Sequence, residues 1–239
     1  MKNEENLLIT ESNKNRLLYM RIISSISLTI LSIQLFMYYP LKLNFTFSFW
    51  GFYLANINFL IQLLNSLNYR ITKKEISNRL FTFIYSICPT VNFLISIIFY
   101  FVLLPLILTG NLEEIGLPSH IVKSFKHIIL WQILCHILPF ILTITEIYLS
   151  NFHPRQNDLY NIFLYQLLYI IIYIINIRVF SYKIVYPLIE MKDWSSILGI
   201  LIYGLVTYIC HTVIVKVYNK VKSSQKYSQI TDKSNNKNN

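Results

Sequence analysis

The sequence predicts an all-α fold, a polytopic transmembrane helical bundle of about six spans with both termini cytosolic. Three observations predict it. The 239-residue chain is 54% hydrophobic and only 13% charged, with a mean hydropathy of +0.48; a water-soluble protein of this size needs far more polar surface. Apolar runs of about 18 or more residues recur, each long enough to cross a bilayer core at ~1.5 Å rise per residue. Lys and Arg gather on alternate connections between those runs.

The first sixteen residues are polar and of mixed charge, so residues 1–17 read as a cytosolic segment and the first run, Leu18–Tyr39, as a retained signal anchor. The second run is Phe45–Leu67. The third, Leu80–Thr109, is too long for one straight crossing; Pro89 and Pro105 predict a kinked or tilted helix, or one that leaves the membrane near Pro105. The fourth, His127–Leu149, carries His136 and Glu146. The fifth is Leu159–Val179 and the sixth Trp194–Val217. Between these last two, Val179–Glu190 is still fairly apolar and contains Tyr186-Pro187, which suits a re-entrant or surface-lying segment. Residues 218–239 are basic and rich in Ser, Asn and Lys, a composition that buries no core and predicts a disordered tail.

Orientation follows from the basic residues. Four stand at the N-terminus (Lys2, Lys14, Arg16, Arg21) and four after the second run (Arg70, Lys73, Lys74, Arg79). Arg155, Lys216 and the five lysines of residues 218–239 join them, making fifteen of 21 on one side. The positive-inside rule makes that side cytosolic. The net charge of +10 thus expresses topology rather than nucleic-acid binding, and no P-loop, dinucleotide fingerprint or nucleic-acid module is present; no cofactor is expected. Cys88, Cys135 and Cys210 all fall in apolar runs without a CxxC, as buried packing residues do.

An ionisable side chain at membrane depth costs roughly 2.5–3.5 kcal/mol for the most strongly charged types and usually serves a function. His136 lies about nine residues inside its run, some 13 Å at helical rise. The second run begins on the same, non-cytosolic side with Thr46 and Ser48. A hydroxyl and a histidine near one membrane surface meet the minimum for base-assisted nucleophilic attack on an acyl carbonyl. Glu146, ten residues on, lies about 80° round the helix and ~15 Å further along it, which suits a polar-bridging carboxylate better than a third catalytic member. His211 has no surrounding pattern and reads as a structural polar contact. His120, His127 and His153 lie at span ends or in loops, and no histidine pair has metal-ligand spacing. Against these readings stand blander ones: a membrane Ser or Thr is mostly a packing residue.

Four stretches carry a resemblance. They are Ser48-Phe49-Trp50-Gly51-Phe52-Tyr53-Leu54, Leu80-Phe81-Thr82-Phe83 through Pro89-Thr90, the spacing of His136, Pro139 and Glu146, and Val185-Tyr186-Pro187-Leu188. In order and over most of the chain, they are similar to the androgen-induced-protein-like family of six-span membrane proteins. The resemblance implies a hydrolase of fatty acid esters of hydroxy fatty acids that uses a membrane-embedded threonine and histidine. Carried over, the histidine is His136 and the threonine position falls on Ser48, with Thr46 the alternative nucleophile. The two are about 200° apart on a helix, so both cannot face His136. The resemblance further implies a lipid substrate drawn from the bilayer into a pocket lined by Trp50, Pro139, Tyr186 and Pro187. The alternative from another class is a non-catalytic membrane scaffold or regulator; a small transporter is disfavoured because the chain lacks two related halves with paired broken helices. Endoplasmic reticulum or plasma membrane is the expected location.

Overall fold

Without water in the bilayer core, an apolar run must satisfy its backbone amides internally, and a helix does so within one segment. A computed structural model describes residues 11–38, 47–72, 79–109, 130, 133–150, 152–180 and 194–235, and among them there is no β-strand. Helix α1 spans Glu11–Tyr38, α2 Phe47–Thr72 and α3 Arg79–Ile98. A π-helical segment, Phe99–Leu103, carries α3 into the short α4, Leu104–Leu108. Helix α5 covers Leu138–Leu149, a 3-10 turn at Gln156–Asp158 leads into α6, Leu159–Phe180, and α7 covers Trp194–Asn235.

Among the described residues, five stretches are long and apolar enough to cross a membrane: Lys14–Met37, Phe47–Thr72, Arg79–Phe101, Gln156–Ile175 and Ile197–Ser223. The fourth of the six expected spans is the exception. Its described apolar helix, Ile133–Leu149, measures only ~25 Å at helical rise. Among the described residues, five candidate spans are therefore seen where the sequence predicted six, and residues 127–129, 131 and 132 of the fourth run lie outside them.

The third expected span follows one helical path whose winding changes before Pro105. There the Leu104 N–H bonds to the carbonyl of Phe99, five residues back. Pro105 brings no N–H and crowds the preceding turn, and a π turn absorbs that mismatch. Pro89 sits inside α3 without ending it.

Cross-helix contacts fix the directions. Arg21 of α1 meets Gln62 and Ser66 of α2, whereas Thr29 and Ser32 meet Asn56, so the two helices are antiparallel. Tyr85 meets Ser150, and Ser96 meets His136, which sets α3 against α5 in the same way. Asn161 bonds to Ser86 near the start of α6, and Phe47 packs against Tyr169 further along it. In α7, Tyr203 lies by Phe47, His211 by Thr90 and Lys222 by Ser150. The beginning of α1 and the Lys222 turn of α7 thus lie at one end of the bundle, and Ser48, Phe99 and His136 lie towards the other.

Outward faces are as apolar as inward ones. On α1, Leu18, Leu28 and Leu35 are buried while Tyr19, Ile23, Ile26, Ile30 and Ile33 are exposed. A helix that is apolar all round belongs in lipid. Helix α7 runs for 42 residues, ~63 Å at helical rise. Residues 218–235 thereby continue a helix where composition predicted a disordered tail. Lys and Gln are good helix formers, and extending an existing helix avoids the cost of nucleation.

Candidate active site

A buried seam of side chains runs between α3 and the stretch His136–Ser150. Tyr85, Cys88, Asn92, Ser96 and Phe99, spaced three or four apart, share one face of the third helix. Opposite them stand His136, Pro139, Thr143, Glu146 and Ser150, all of them buried. The Cys88 thiol lies 3.8 Å from Thr143 Oγ1. Asn92 Nδ2 donates to the Cys88 carbonyl at 2.9 Å, and Phe93 stacks on Phe140 at 4.8 Å. The seam is polar at its two ends and packed in the middle.

His136 occupies one end. Residues Ile133–His136 are helical, Ile137 is a turn, and α5 starts at Leu138. Pro139 accounts for the irregular turn, because it supplies no N–H to the Cys135 carbonyl four residues back, while helical bonds still run from the Ile137 N–H to the Ile133 carbonyl at 2.9 Å and from the Ile141 N–H to the Ile137 carbonyl at 3.0 Å. Ser96 Oγ donates to the His136 carbonyl at 2.6 Å. The imidazole is 4% exposed. It stacks on Phe99 with centroids 4.6 Å apart and planes at 21°. Phe99 is the first residue of the π segment, so irregularities in two neighbouring helices meet at this histidine.

Ser48 lies in the first turn of α2 and is half-buried. Its depth can be read from Gly51, one turn further on. A Cβ there would meet Ile95 Cδ1 at 2.1 Å and Asn92 Oδ1 at 3.4 Å, so α2 passes close to α3 at that level. One turn back on α2 corresponds to one turn forward on antiparallel α3, the level of Phe99. Ser48 and His136 therefore share a depth to within about one helical turn, ~5 Å. Among the described residues, no hydrogen bond joins the two. Trp50, on another face of α2, packs edge-on against Tyr169 at 5.5 Å. Pro139 is buried in the first turn of α5. Thr46, Tyr186 and Pro187 lie outside the described residues. Among the described residues, no group of three His, Cys, Asp or Glu side chains converges as metal ligands do.

Glu146 occupies the opposite end, ten residues from His136. Its carboxylate is fully buried and pairs with Arg21: Nε donates to Oε1 at 3.1 Å and to Oε2 at 3.2 Å, and Nη2 also donates to Oε1. Arg21 Nη1 donates to the Gln62 carbonyl at 3.2 Å and to Ser66 Oγ. Tyr85 OH donates to Glu146 Oε1 at 3.0 Å and lies 2.8 Å from Ser150 Oγ. Both charges have protein partners, the condition under which a buried pair is tolerated. Sequence reasoning placed Arg21 with the interfacial basic residues and missed this cluster. The available signal was its position four residues inside the first apolar run, as a lone cation.

His211 is also fully buried. Its Nε2 lies 2.9 Å from the Arg155 carbonyl and its Nδ1 2.9 Å from Thr90 Oγ1. A carbonyl only accepts, so Nε2 carries the proton; a neutral ring then accepts at Nδ1 from the threonine hydroxyl. This histidine ties α3 and α7 to the connection before α6, a structural role.

No family model matches the chain, and neither does any curated protein or solved structure.

Proposed function

We propose that the chain is a membrane-embedded lipid-ester hydrolase in which Ser48 is the nucleophile and His136 the base. The observation that carries this reading is their common depth, with the histidine buried beside a break in its own helix and held from α3. In the first half-reaction, His136 takes the Ser48 Oγ proton as the oxygen attacks the acyl carbonyl. The bond to the alcohol oxygen then breaks, and that oxygen leaves with the proton from the imidazolium. In the second, His136 draws a proton from water as it attacks the acyl-serine, releasing the free acid and restoring the serine. Apolar outer faces give an acyl chain direct access from the bilayer. Fatty acid esters of hydroxy fatty acids are the substrate class suggested by the family resemblance, with Thr46 as the alternative nucleophile.

The sixth crossing belongs to this proposal, with Ile133–Leu149 traversing a locally thin or shielded layer and both termini in the cytosol. So does residence in the endoplasmic reticulum or in the plasma membrane.

A second reading, a non-catalytic scaffold, draws support from the lack of a described Ser48–His136 hydrogen bond. Catalytic hydrogen bonds are often long in the unliganded state and tighten with substrate. The discriminating experiment is fatty acid release from a fatty acid–hydroxy fatty acid ester by membranes holding wild type, Ser48→Ala or His136→Ala at equal abundance. Release by wild type alone supports the hydrolase; equal release by all three supports the scaffold.

A further inference from the structure

We propose that Asn58 of α2 and Ser25 of α1 hold an internal water site at mid-depth in the bundle. The site is separate from Ser48 and His136, and it stands whether or not the chain hydrolyses esters.

A carboxamide carries two N–H protons and an acceptor oxygen, and burying these unbonded is costly. Asn58 is fully buried, and among the described residues neither its Nδ2 nor its Oδ1 has a hydrogen-bond partner. Asn92, also buried, donates instead to the Cys88 carbonyl at 2.9 Å. Ser25 raises the same question. A helical serine or threonine commonly returns its hydroxyl to a carbonyl of the preceding turn, as Ser96, Thr143 and Thr207 do in this chain. The Ser25 hydroxyl is buried and has no such bond, nor any other among the described residues.

The pairing of α1 with α2 brings the two to one level. Arg21 meets the Gln62 carbonyl and Ser66, and Thr29 meets Asn56. Ser25, halfway between Arg21 and Thr29, therefore lies within about one helical turn of Asn58 in depth. Arg21 and Ser32 both reach α2, and Ser25 shares their face of α1 by helical spacing. On α2, Asn58 follows Gly51 and Ala55 along the buried face. Gly51 packs on Asn92 and Ile95, which makes Tyr85 and Cys88 the seam residues of α3 nearest Asn58 in depth. Polar groups at that level are engaged elsewhere. Tyr85 OH is held by Glu146 and Ser150, the Cys88 thiol lies against Thr143 and Asn92, and the Gln62 carbonyl accepts from Arg21. Water meets the demand that these groups leave. A buried water typically makes about three hydrogen bonds, and Asn58 and Ser25 together offer donors and acceptors enough for them. Short side chains at this depth, Ala55 and Cys88 besides Ser25 itself, suit a space of that size. The Gln62 carbonyl that holds Arg21 is one turn along α2 from Asn58, so the site adjoins the buried ion pair, and water nearby lowers the penalty of burying it.

The experiment is nuclear magnetic resonance of the full chain in detergent micelles, with ¹⁵N-labelled asparagine. The Asn58 carboxamide signals are identified by their loss in Asn58→Leu, or in Asn58→Gln should the leucine variant not fold. Wild type should show a rotating-frame cross-peak between water and the Asn58 Nδ2 protons, of the sign that marks proximity rather than exchange. Ser25→Ala should shift these resonances and weaken the cross-peak. Ser25→Thr keeps the hydroxyl and should leave both near wild type. Thermal unfolding gives a second readout. The melting-temperature changes of Ser25→Ala and the Asn58 variant should be non-additive when combined, because both act on one site. An Asn58 carboxamide without a water cross-peak overturns the proposal. So does a hydrated Asn58 whose resonances Ser25→Ala leaves unshifted, since α1 then has no part in the site, and strictly additive melting changes count against it in the same way.

Discussion

Arg21 and Glu146, 125 positions apart in the chain, form a buried ion pair that joins α1 to α5. With Tyr85 and Ser66 it links the first, second, third and fifth helices at one end of the bundle. Removing one partner strands the other charge in an apolar interior, which typically costs about 3–5 kcal/mol. Arg21→Met and Glu146→Leu should each lower the unfolding temperature in detergent sharply. Arg21→Met combined with Glu146→Leu should recover most of the loss, because no charge is then left unpaired. A double variant as unstable as the worse single one would argue against this view of the pair.

His211 gives a second stability test. Thr90→Ala takes away the donor to Nδ1 and leaves a buried acceptor unmet, at a cost of roughly 1–3 kcal/mol. Thr90→Ser keeps the hydroxyl and should sit close to wild type in the same thermal measurement. Ester hydrolysis per folded molecule should be the same in both, since this histidine bonds to Thr90 and the Arg155 carbonyl, about two helical turns along α7 from Tyr203, which marks the level of Phe47.

Gly51 sets the distance between α2 and α3. Gly51→Ala drives a methyl into Ile95 Cδ1, and overpacking of this kind costs typically about 1–3 kcal/mol. The clash is with the tip of one side chain, so Gly51→Ala with Ile95→Val should regain much of the stability. Denaturation of the purified single and double variants in mild detergent reads this directly.

The proposed nucleophile has its own signature. Ser48→Ala should reduce ester hydrolysis about a thousandfold or more, down to the residual rate that binding alone supplies. Ser48→Thr should keep activity within about tenfold, because the hydroxyl remains and only a methyl is added. Turnover of a fluorogenic acyl ester by matched membranes measures both. Equal rates for Ser48→Ala and wild type, with Thr46→Ala inactive, would move the nucleophile to Thr46.

Helix existence was legible because apolar runs of spanning length have few other fates in a chain this hydrophobic. The unusual status of His136 and Glu146 was legible for the same reason: each interrupts such a run. The irregular turn at Ile137 before Pro139 was not read, and Pro105 announced an irregularity without giving its form. That form, a π turn beginning at Phe99, arises from packing that no local pattern records. The partners were not legible. Arg21 read as one more topology-setting cation, since its match to Glu146 depends on two helices meeting across the bundle. Ser96 read as an ordinary small residue, since its bond to the His136 carbonyl depends on the third helix meeting the stretch before α5. The helical continuation to Asn235 ran against a composition suited to disorder, because a helix already formed upstream changes the local balance.

The central claim is that Ser48 is a nucleophile activated by His136. Fluorophosphonate labelling in membranes tests it most directly, comparing wild type with Ser48→Ala, Thr46→Ala and His136→Ala at matched abundance and locating the adduct by peptide mass. The account expects the adduct on Ser48, lost in Ser48→Ala and His136→Ala and kept in Thr46→Ala. Folded wild-type protein that takes no label, or labelling unchanged by His136→Ala, would contradict it.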